Sequence, residues 1–278
     1  MSVLTTHALP WALDPSQFCQ WLPVTTRDSA AIFLDYDGTL TPIVDRPEQA
    51  TLAASTRARL VQLSTRCPVT IVTGRDISVV RDFVQLDQLG YAGCHGLDIA
   101  GPIGSGLRHE VAVELLPVLD DAEAVLRRRL DGIAGAIVER KRYSLSTHFR
   151  LVDECDAAQV ESAVRDVAHR YPRLRREGGK KVFELRPDIE WDKGSAVEWM
   201  LEATSSQSGG TTYIGDDETD EHVFELLSNT GVPIVVAQDN RPTAARYRVR
   251  NPAEVMQVID LILDALDRVT LHRHVTQI

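Results

Sequence analysis

The stretch AAIFLDYDGTLTPI, residues 30–43, constrains the fold of this chain more than any other. Five apolar residues, 30–34, lead directly to the carboxylates of Asp35 and Asp37. A continuous apolar run of this kind is typical of a strand that is covered on both faces, as in a parallel sheet. Two carboxylates at the end of such a strand repel each other unless a cation lies between them. The stretch therefore predicts a buried parallel strand whose carboxyl end binds a cation.

The composition is that of a globular protein with room for two small domains. The chain has 278 residues, of which 44 % are hydrophobic and 25 % charged, and this excludes disordered and fibrous classes. The net charge of −10 argues against nucleic acid or an anionic membrane as the main partner, because both select for excess lysine and arginine. An anionic small molecule remains compatible, since a local basic pocket can lie on an acidic protein.

The sequence contains no pattern typical of export or of membrane insertion. The N-terminal residues lack the basic and apolar regions of a signal peptide, and no segment approaches the roughly 18 apolar residues that span a bilayer. The cysteines Cys19, Cys67, Cys94 and Cys155 are scattered and form no C-x-x-C pair. We therefore expect reduced thiols in a cytoplasmic protein that does not bind membranes.

Residues 29–110 and 188–278 alternate between strand and helix patterns. The runs AAIFL and PVTIV predict buried strands, and STRARLVQL and DISVVRDFVQL predict the helices that follow them. The alternation returns in TTYIG, VPIVV and the closing run PAEVMQVIDLILDAL. This order is typical of a Rossmann-like, three-layer α/β/α core, in which a parallel sheet lies between two layers of helices.

Residues 111–187 interrupt this alternation with an α-β-β-α-β-β order. The order predicts an inserted α/β domain with an open sheet and helices on one face, and Asp156 as the N-cap of its second helix. Such an insertion can act as a lid over a site. The preceding stretch, residues 1–28, predicts a tail or an irregular N-terminal helix.

Polar side chains follow three predicted strands at their carboxyl ends, where ligands of open parallel sheets bind. Asp35 and Asp37 follow the first strand, Thr73 follows the second, and Asp216 and Asp217 follow TTYIG. Carboxylate and carbonyl oxygens are the ligands that Mg²⁺ prefers. We expect the carboxylates of Asp35 and Asp216 and the carbonyl of Asp37 to bind Mg²⁺, with Asp217 as a second ligand or as support for one.

The same residues suit phosphoryl transfer. Asp35 can attack phosphorus and form an aspartyl-phosphate. Asp37 can protonate the leaving oxygen and later deprotonate a water molecule. Thr73 and Lys193, the latter in the run WDKGS, can hold the other phosphoryl oxygens, where negative charge spreads in the transition state.

In their order along the chain, the motifs DYDGTLTPI, TGR, DKG and GDDETDE resemble the four motifs of the haloacid dehalogenase-like phosphatases. In that superfamily an aspartate two residues after the nucleophile is associated with phosphatases and mutases. Asp37 occupies this position. The resemblance implies a phosphotransferase with Asp35 as nucleophile and Mg²⁺ as cofactor.

Further segments, among them GCHGLDI, ERKRYSLSTHFR and GKKVFELRP, resemble the trehalose-6-phosphate phosphatase family. The resemblance implies hydrolysis of trehalose 6-phosphate, the final step of trehalose biosynthesis, and a sugar-binding role for the inserted domain, the cap. For Arg75 an ion pair in the core is an equal alternative to a substrate contact. The positions that the resemblance assigns to the substrate are Gly74, Arg75, His95, Glu139, Lys141, His148, Arg150, Lys180 and Glu184.

Other functions stay open beside this one. The chain could hydrolyse another sugar phosphate, such as sucrose 6-phosphate or a mannosyl phosphate ester, or it could be a phosphomutase. A non-catalytic sensor of sugar phosphates is disfavoured, because a binding domain has no need of Asp37, whose strongest use is proton transfer. No synthase domain is recognisable, so an association with trehalose-6-phosphate synthase would join separate chains.

Overall fold

The computed structural model describes residues 4–25, 30–44, 46–179, 181–204, 206 and 208–276. The chain folds into two compact units. The core unit comprises Met1–His109 and Trp191–Ile278, and the insert unit comprises Glu110–Glu190. Within the described ranges, no helix is both long enough and apolar enough to cross a membrane.

The residues that the structure describes form fourteen strands and eight α-helices. The strands are β1 (Leu4–Thr5), β2 (Ala31–Asp35), β3 (Val69–Val72), β4 (Gly90–Gly93), β5 (Asp98–Ala100), β6 (Arg108–Glu110), β7 (Ile137–Lys141), β8 (Ser144–His148), β9 (Leu174–Gly179), β10 (Val182–Pro187), β11 (Thr211–Gly215), β12 (Val232–Val236), β13 (Pro242–Thr243) and β14 (Tyr247–Val249). The α-helices are α1 (Pro15–Thr25), α2 (Ala54–Ser64), α3 (Ile77–Val84), α4 (Leu116–Leu130), α5 (Glu154–Arg170), α6 (Lys193–Ala203), α7 (Glu221–Leu227) and α8 (Pro252–Thr276).

The core unit is built on a sheet in the strand order β14-β12-β11-β2-β3-β4-β5-β6. The pairs from β14 to β4 are parallel, and β5 is antiparallel to β4. The chain passes from β2 to β3 on one side and returns to β11 on the other side. The strand order therefore reverses beside β2, and ligands of such sheets bind at this reversal, beyond the carboxyl ends of the strands.

Helices cover both faces of this sheet, because the residues of β2 alternate between two hydrophobic cores. Ile32 and Leu34 belong to one core, with residues of α1, α2, α3 and α8. Ala31 and Phe33 belong to the other, with residues of α6 and α7. Every residue of β2 is buried, which explains why the four residues before Asp35 are all apolar. The predicted three-layer α/β/α core with a mainly parallel sheet is confirmed.

The insert unit has a hydrophobic core of its own. Its sheet is antiparallel in the order β7-β8-β10-β9. Leu145 and Leu185 belong to a buried cluster with residues of α4 and α5. Because strand residues alternate between faces, their neighbours Ser146 and Glu184 lie on the opposite face, which we call the polar face.

One local prediction is wrong and one is incomplete. The N-cap of α5 is Asp153, whose side chain accepts from the N–H of Cys155 at 3.1 Å, so Asp156 lies in the first helical turn. Two aspartates three residues apart offer equivalent capping signals in the sequence. The N-terminal stretch contains α1 but also β1, which pairs antiparallel with β13. A strand of two residues has no periodic pattern to reveal it.

Truncation of Leu60 tests the core between α2 and the sheet. Leu60 is 0 % exposed, so Leu60→Ala leaves a cavity. We expect the free energy of unfolding to fall by about 2–5 kcal/mol. Val61 is the next residue of the same helix and is 38 % exposed, so Val61→Ala is the matched control, with a change within about 0.5 kcal/mol.

The tryptophans make this measurement specific to one unit. All 4 of them lie in the core unit, so their fluorescence during urea unfolding follows that unit alone. Equal losses for the two variants would contradict the packing of α2 against the sheet.

Candidate active site

The end of β2 is the centre of a buried ionic cluster. Asp35, the last residue of β2, is 4 % exposed. Lys193, the first residue of α6, donates from Nζ to Oδ1 of Asp35 at 2.8 Å and to Oδ1 of Asp220 at 2.7 Å. The hydroxyl of Tyr213 in β11 donates to the same oxygen of Asp220. Buried charges are tolerated when they are paired and hydrogen-bonded, and Lys193 is paired with both carboxylates.

Burial and charge oppose each other in this cluster. Burial disfavours the ammonium of Lys193, but Asp220 and Asp35 outweigh this effect and raise the pKa of Lys193, which stays charged at neutral pH. Burial raises the pKa of Asp35 well above its usual value, against the attraction of Lys193. Burial, followed by the charge of Asp220, raises the pKa of Asp216 to about 7. One ammonium thus faces three carboxylates, and the site favours an additional positive charge.

The carboxylates of Asp35, Asp216 and Asp220 are placed to hold a metal ion. One oxygen from each lies within 4.8 Å of the other two. Oδ1 of Asp216 is buried and has no hydrogen-bond partner among the residues that the structure describes. A buried polar atom without a partner costs free energy, which a ligand recovers. Carboxylate oxygens suit a hard divalent cation, so the donor set fits a metal ion.

Gly38 permits the close approach of the loop after β2 to this cluster. Its φ of +83° lies in the left-handed region that favours glycine. A Cβ atom on Gly38 would lie 2.0 Å from Oδ2 of Asp216. Any side chain at this position would therefore displace Asp216.

The carboxylate of Asp37 lies outside the acidic cluster and forms a two-point ion pair with Arg75. The Nε and Nη2 atoms of Arg75 each donate to one oxygen of Asp37 at 2.6 Å. The guanidinium also donates to the carbonyl of Pro47 at 3.0 Å and lies 5.6 Å and 5.2 Å from the ring centroids of Tyr36 and Phe83. These contacts favour the ion-pair alternative for Arg75.

The residues after β3 meet those after β4 at the same edge of the sheet. Val72 is the register partner of Asp35, so Thr73 lies one residue beyond it. The hydroxyl of Thr73, which is 1 % exposed, accepts from the N–H of Arg75 at 3.2 Å. The ring of His95 packs on Gly74, where a Cβ atom would lie 2.6 Å from it.

The third carboxylate of the cluster is Asp220, where the sequence pointed to Asp217. Asp217 is exposed, and its side chain caps the turn Glu218–Asp220 by accepting from the N–H of Glu218 at 2.8 Å. The same turn folds Asp220 back, so that it is 0 % exposed. Asp220, and not Asp217, therefore lies with Asp35 and Asp216 in the group of carboxylates that could hold a metal ion.

The polar face of the insert unit carries several of the expected sugar-binding residues. Oε1 of Glu184 accepts from the hydroxyl groups of Ser144 at 2.7 Å and Ser146 at 3.2 Å. Nζ of Lys141 lies 3.5 Å from the same oxygen. Glu184 is therefore oriented by three donors, all of them on strands β7 and β8.

Other expected residues of the insert unit lie in more open positions. Nε2 of His148 lies 2.8 Å from a carboxylate oxygen of Glu139. Arg150 is exposed. Lys180 lies outside the described residues.

The register of the insert unit reveals polar residues that the sequence patterns did not single out. Glu139, Ser146, Glu184 and Glu177 are successive cross-strand neighbours and form one row across the sheet. At the end of this row Glu177 forms ion pairs with two arginines of the same face, Arg175 at 3.1 Å and Arg186 at 2.5 Å. The alternation of β9 and β10 was the signal that could have found them.

Residues 33–253 match the sequence model of the trehalose-phosphatase family. The chain belongs to this family. A relative from Oryza sativa subsp. japonica, named probable trehalose-phosphate phosphatase 3, is 39 % identical over 247 residues, which cover 82 % of this chain and 68 % of the relative. Membership of the trehalose-phosphatase family identifies the chain as an enzyme and its acidic cluster as a candidate active site.

Solved structures agree with this assignment. The crystal structure of a trehalose-6-phosphate phosphatase related protein is 26 % identical, with a TM-score of 0.71 and coverage of 84 % of this chain and 97 % of that one. The structure of a haloacid dehalogenase-like hydrolase from Bacteroides thetaiotaomicron is 16 % identical, with a TM-score of 0.61 over 86 % of this chain and 98 % of that one. The second likeness concerns the fold alone.

Substitution of Gly38 tests the metal site. We expect Gly38→Ala to weaken the binding of a divalent cation about 10- to 100-fold, because the added Cβ displaces Asp216. Gly104→Ala is the matched control: Gly104 has a similar φ of +85°, but among the described residues nothing beyond its chain neighbours lies within 4 Å of where its Cβ would be. Both variants bear the same backbone strain, about 1–2 kcal/mol.

Calorimetric titration of each variant with MgCl₂ distinguishes strain from displacement. Loss of affinity in Gly38→Ala alone is the expected result. A loss of the same size in Gly104→Ala would attribute the effect to backbone strain, and no loss in either variant would contradict the binding of the cation by Asp216.

Proposed function

We propose that this protein hydrolyses trehalose 6-phosphate to trehalose and inorganic phosphate, with Mg²⁺ as cofactor and Asp35 as nucleophile. The observation that carries the proposal is the position of Asp35, which is buried beside the reversal of strand order and paired with Lys193. Membership of the trehalose-phosphatase family and the name of the Oryza sativa relative support the choice of substrate.

The first half-reaction transfers the phosphoryl group to the protein. A carboxylate oxygen of Asp35 attacks phosphorus, and the bond between phosphorus and the sugar oxygen breaks. Asp37, which carries a proton at the start of this step, donates it to the departing sugar oxygen. The hydroxyl of Thr73 and the ammonium of Lys193 bind the remaining phosphoryl oxygens. The products are trehalose and an aspartyl-phosphate on Asp35.

The second half-reaction regenerates the carboxylate. Asp37, now ionised, takes a proton from a water molecule that attacks phosphorus, and the bond between phosphorus and Asp35 breaks. Inorganic phosphate leaves. When held by Asp35, Asp216 and Asp220, Mg²⁺ supplies positive charge that offsets the repulsion between the nucleophile and the phosphate dianion.

Arg75 orients Asp37 for this work. Each oxygen of an ionised carboxylate can accept two hydrogen bonds, and Arg75 takes one at each oxygen. One remaining position can carry the proton that Asp37 gives to the sugar oxygen, and it can later take a proton from water. Because Arg75 is itself held by Pro47 and two aromatic rings, it limits the rotation of Asp37 about its side-chain bonds.

The polar face of the insert unit suits a disaccharide. Trehalose 6-phosphate presents hydroxyl groups and no large apolar surface, so its recognition requires paired donors and acceptors. Glu139, Lys141, His148, Arg150 and Glu184 offer these groups, and Lys180 is expected to add another. A face built on polar groups discriminates strongly against a sugar that lacks a matching hydroxyl, because the polar groups are then left unpaired.

In this proposal the substrate reaches the protein from a trehalose-6-phosphate synthase on a separate chain, and both act in the cytoplasm. The compartment is supported by the scattered cysteines, which offer no disulfide pattern.

Phosphate release from a panel of sugar phosphates tests both chemistry and substrate. With MgCl₂ we expect strong preference for trehalose 6-phosphate over sucrose 6-phosphate, glucose 6-phosphate and a mannosyl phosphate ester. Chelation of the metal should abolish release, and Asp35→Asn should lower it at least about 10³-fold, since the nucleophile is lost. Glu218→Gln, a change of an exposed carboxylate in the same loop as Asp216, is the control that should retain activity.

Each result of this panel decides a different point. Preference for another sugar would retain the phosphatase chemistry and overturn the substrate. Full activity of Asp35→Asn would overturn the nucleophile. No release from any sugar by the folded protein would favour a sensor.

Asp37→Asn separates the two half-reactions when p-nitrophenyl phosphate is the substrate. The p-nitrophenolate leaving group needs no proton, so phosphorylation of Asp35 should persist, while hydrolysis of the aspartyl-phosphate should slow by about 10²- to 10⁴-fold. Rapid-quench measurement should show a burst of p-nitrophenol close to one per protein molecule. Asp35→Asn, which lacks the acceptor, should show no burst. Wild-type turnover by Asp37→Asn would remove Asp37 from the mechanism.

A further inference from the structure

The peptide unit that joins Asp216 to Asp217 is held at both of its polar ends. Its N–H, on Asp217, donates to Oδ2 of Asp220 at 2.9 Å. Its carbonyl, on Asp216, accepts from the guanidinium of Arg241. Because a peptide unit is planar, two such contacts fix its rotation, and with it the direction in which the Asp216 side chain leaves the backbone.

Arg241 is in turn held by the N-terminal residues of the chain. The N–H of Arg241 donates to Oγ1 of Thr6 at 3.2 Å, and the N–H of Thr6 donates to the carbonyl of Arg241 at 2.8 Å. The hydroxyl of Thr6 donates to the carbonyl of Asp239 at 2.5 Å. Thr6 is 0 % exposed and so holds the backbone of residues 239–241 from a buried position.

The segment after Arg241 is attached to the same part of the site by a second contact. The N–H of Ala244 donates to a carboxylate oxygen of Glu221 at 2.8 Å. Glu221 is the first residue of α7 and directly follows Asp220. Residues 241–244 therefore contact the carbonyl of Asp216 and the side chain of the residue that follows Asp220, while β13 within them pairs with β1.

We propose that Arg241 is a positioning residue for the metal ligand Asp216, and that Thr6 acts through Arg241. The inference rests on the proposed function in one respect, the binding of Mg²⁺ by Asp216. It extends the site to a buried threonine more than 200 positions away in the sequence, joined to Asp216 by two successive sets of hydrogen bonds.

The expected effect on Mg²⁺ affinity follows from the fact that this ion tolerates little displacement of its ligands. Mg²⁺ requires nearly ideal octahedral geometry, so a ligand oxygen that moves by a fraction of an ångström binds it poorly. Groups that orient metal ligands typically contribute about 10- to 100-fold to metal affinity. Without Arg241 the carbonyl of Asp216 loses a charged donor, and the peptide unit is held at its N–H end alone.

Titration of the substrate-free protein with MgCl₂ tests the role of Arg241. We expect Arg241→Met, which keeps the length of the side chain and removes its donors, to raise the Mg²⁺ dissociation constant about 10- to 100-fold. Arg241→Lys, which can still donate to the carbonyl, should give a smaller rise. Arg246→Met is the matched control, because Arg246 donates at 3.3 Å to a carbonyl remote from the site, that of Gly231.

The control decides between positioning and general loss of stability. An unchanged dissociation constant in Arg241→Met, or an equal rise in Arg246→Met, would overturn the inference. If Arg241→Met does not fold, Arg241→Lys decides alone: a rise of several-fold supports the inference, and a value within twofold of wild type overturns it.

A double-mutant cycle tests the role of Thr6. Thr6→Val removes the hydroxyl and keeps the shape, and we expect it to weaken Mg²⁺ binding severalfold in the wild-type background. In the Arg241→Lys background it should add little, because both changes act on the same contact. Thr25→Val is the control, since the buried hydroxyl of Thr25 donates to the carbonyl of Leu22 at 2.9 Å. Additive effects, or an equal effect of Thr25→Val, would overturn the link through Arg241.

This test is independent of turnover. Wild-type protein that binds Mg²⁺ but hydrolyses no sugar phosphate would overturn the proposed function and leave the positioning of Asp216 intact. Active wild-type protein whose Arg241 variants bind Mg²⁺ normally would overturn the positioning alone.

Discussion

A single buried ammonium joins three elements of the core unit. Lys193 contacts Asp35 at the end of β2 and Asp220 at the start of α7, and it is itself the first residue of α6. A positive charge is unfavourable at a helix N-terminus, where the helix dipole already places partial positive charge. The two carboxylates offset this penalty, so Lys193 is stable at this position only while β2, α6 and α7 keep their places.

Lys193 neutralises only part of the negative charge of the three carboxylates. Groups that contact it without being ligands are donors: the hydroxyl of Tyr213 and the N–H of Asp217 both contact Asp220. Three carboxylates with one ammonium remain unfavourable in a buried setting, which opposes folding of the metal-free protein. A bound cation removes this penalty, so cation binding and the stability of the core unit are thermodynamically linked.

The sequence patterns were sufficient to predict the positions of residues at the carboxyl end of a strand. Asp35 was predictable because the carboxyl ends of parallel strands meet at one edge of a sheet. The choice of Asp220 over Asp217 was not predictable, because it depends on a single 3₁₀ turn that directs one aspartate inward and the other outward. The contact between Thr6 and Arg241 was also beyond reach, since it joins distant segments that show no local periodicity.

The insert unit buries one face of its sheet, and this has an evolutionary consequence. Its hydrophobic core lies on the side of α4 and α5 and includes none of the row formed by Glu139, Ser146, Glu184 and Glu177. The row therefore lies apart from the hydrophobic core of the insert unit, and the ionic cluster belongs to the core unit. Under the proposed function, sugar specificity can therefore change through this one row of residues while the hydrolytic site stays in the core unit.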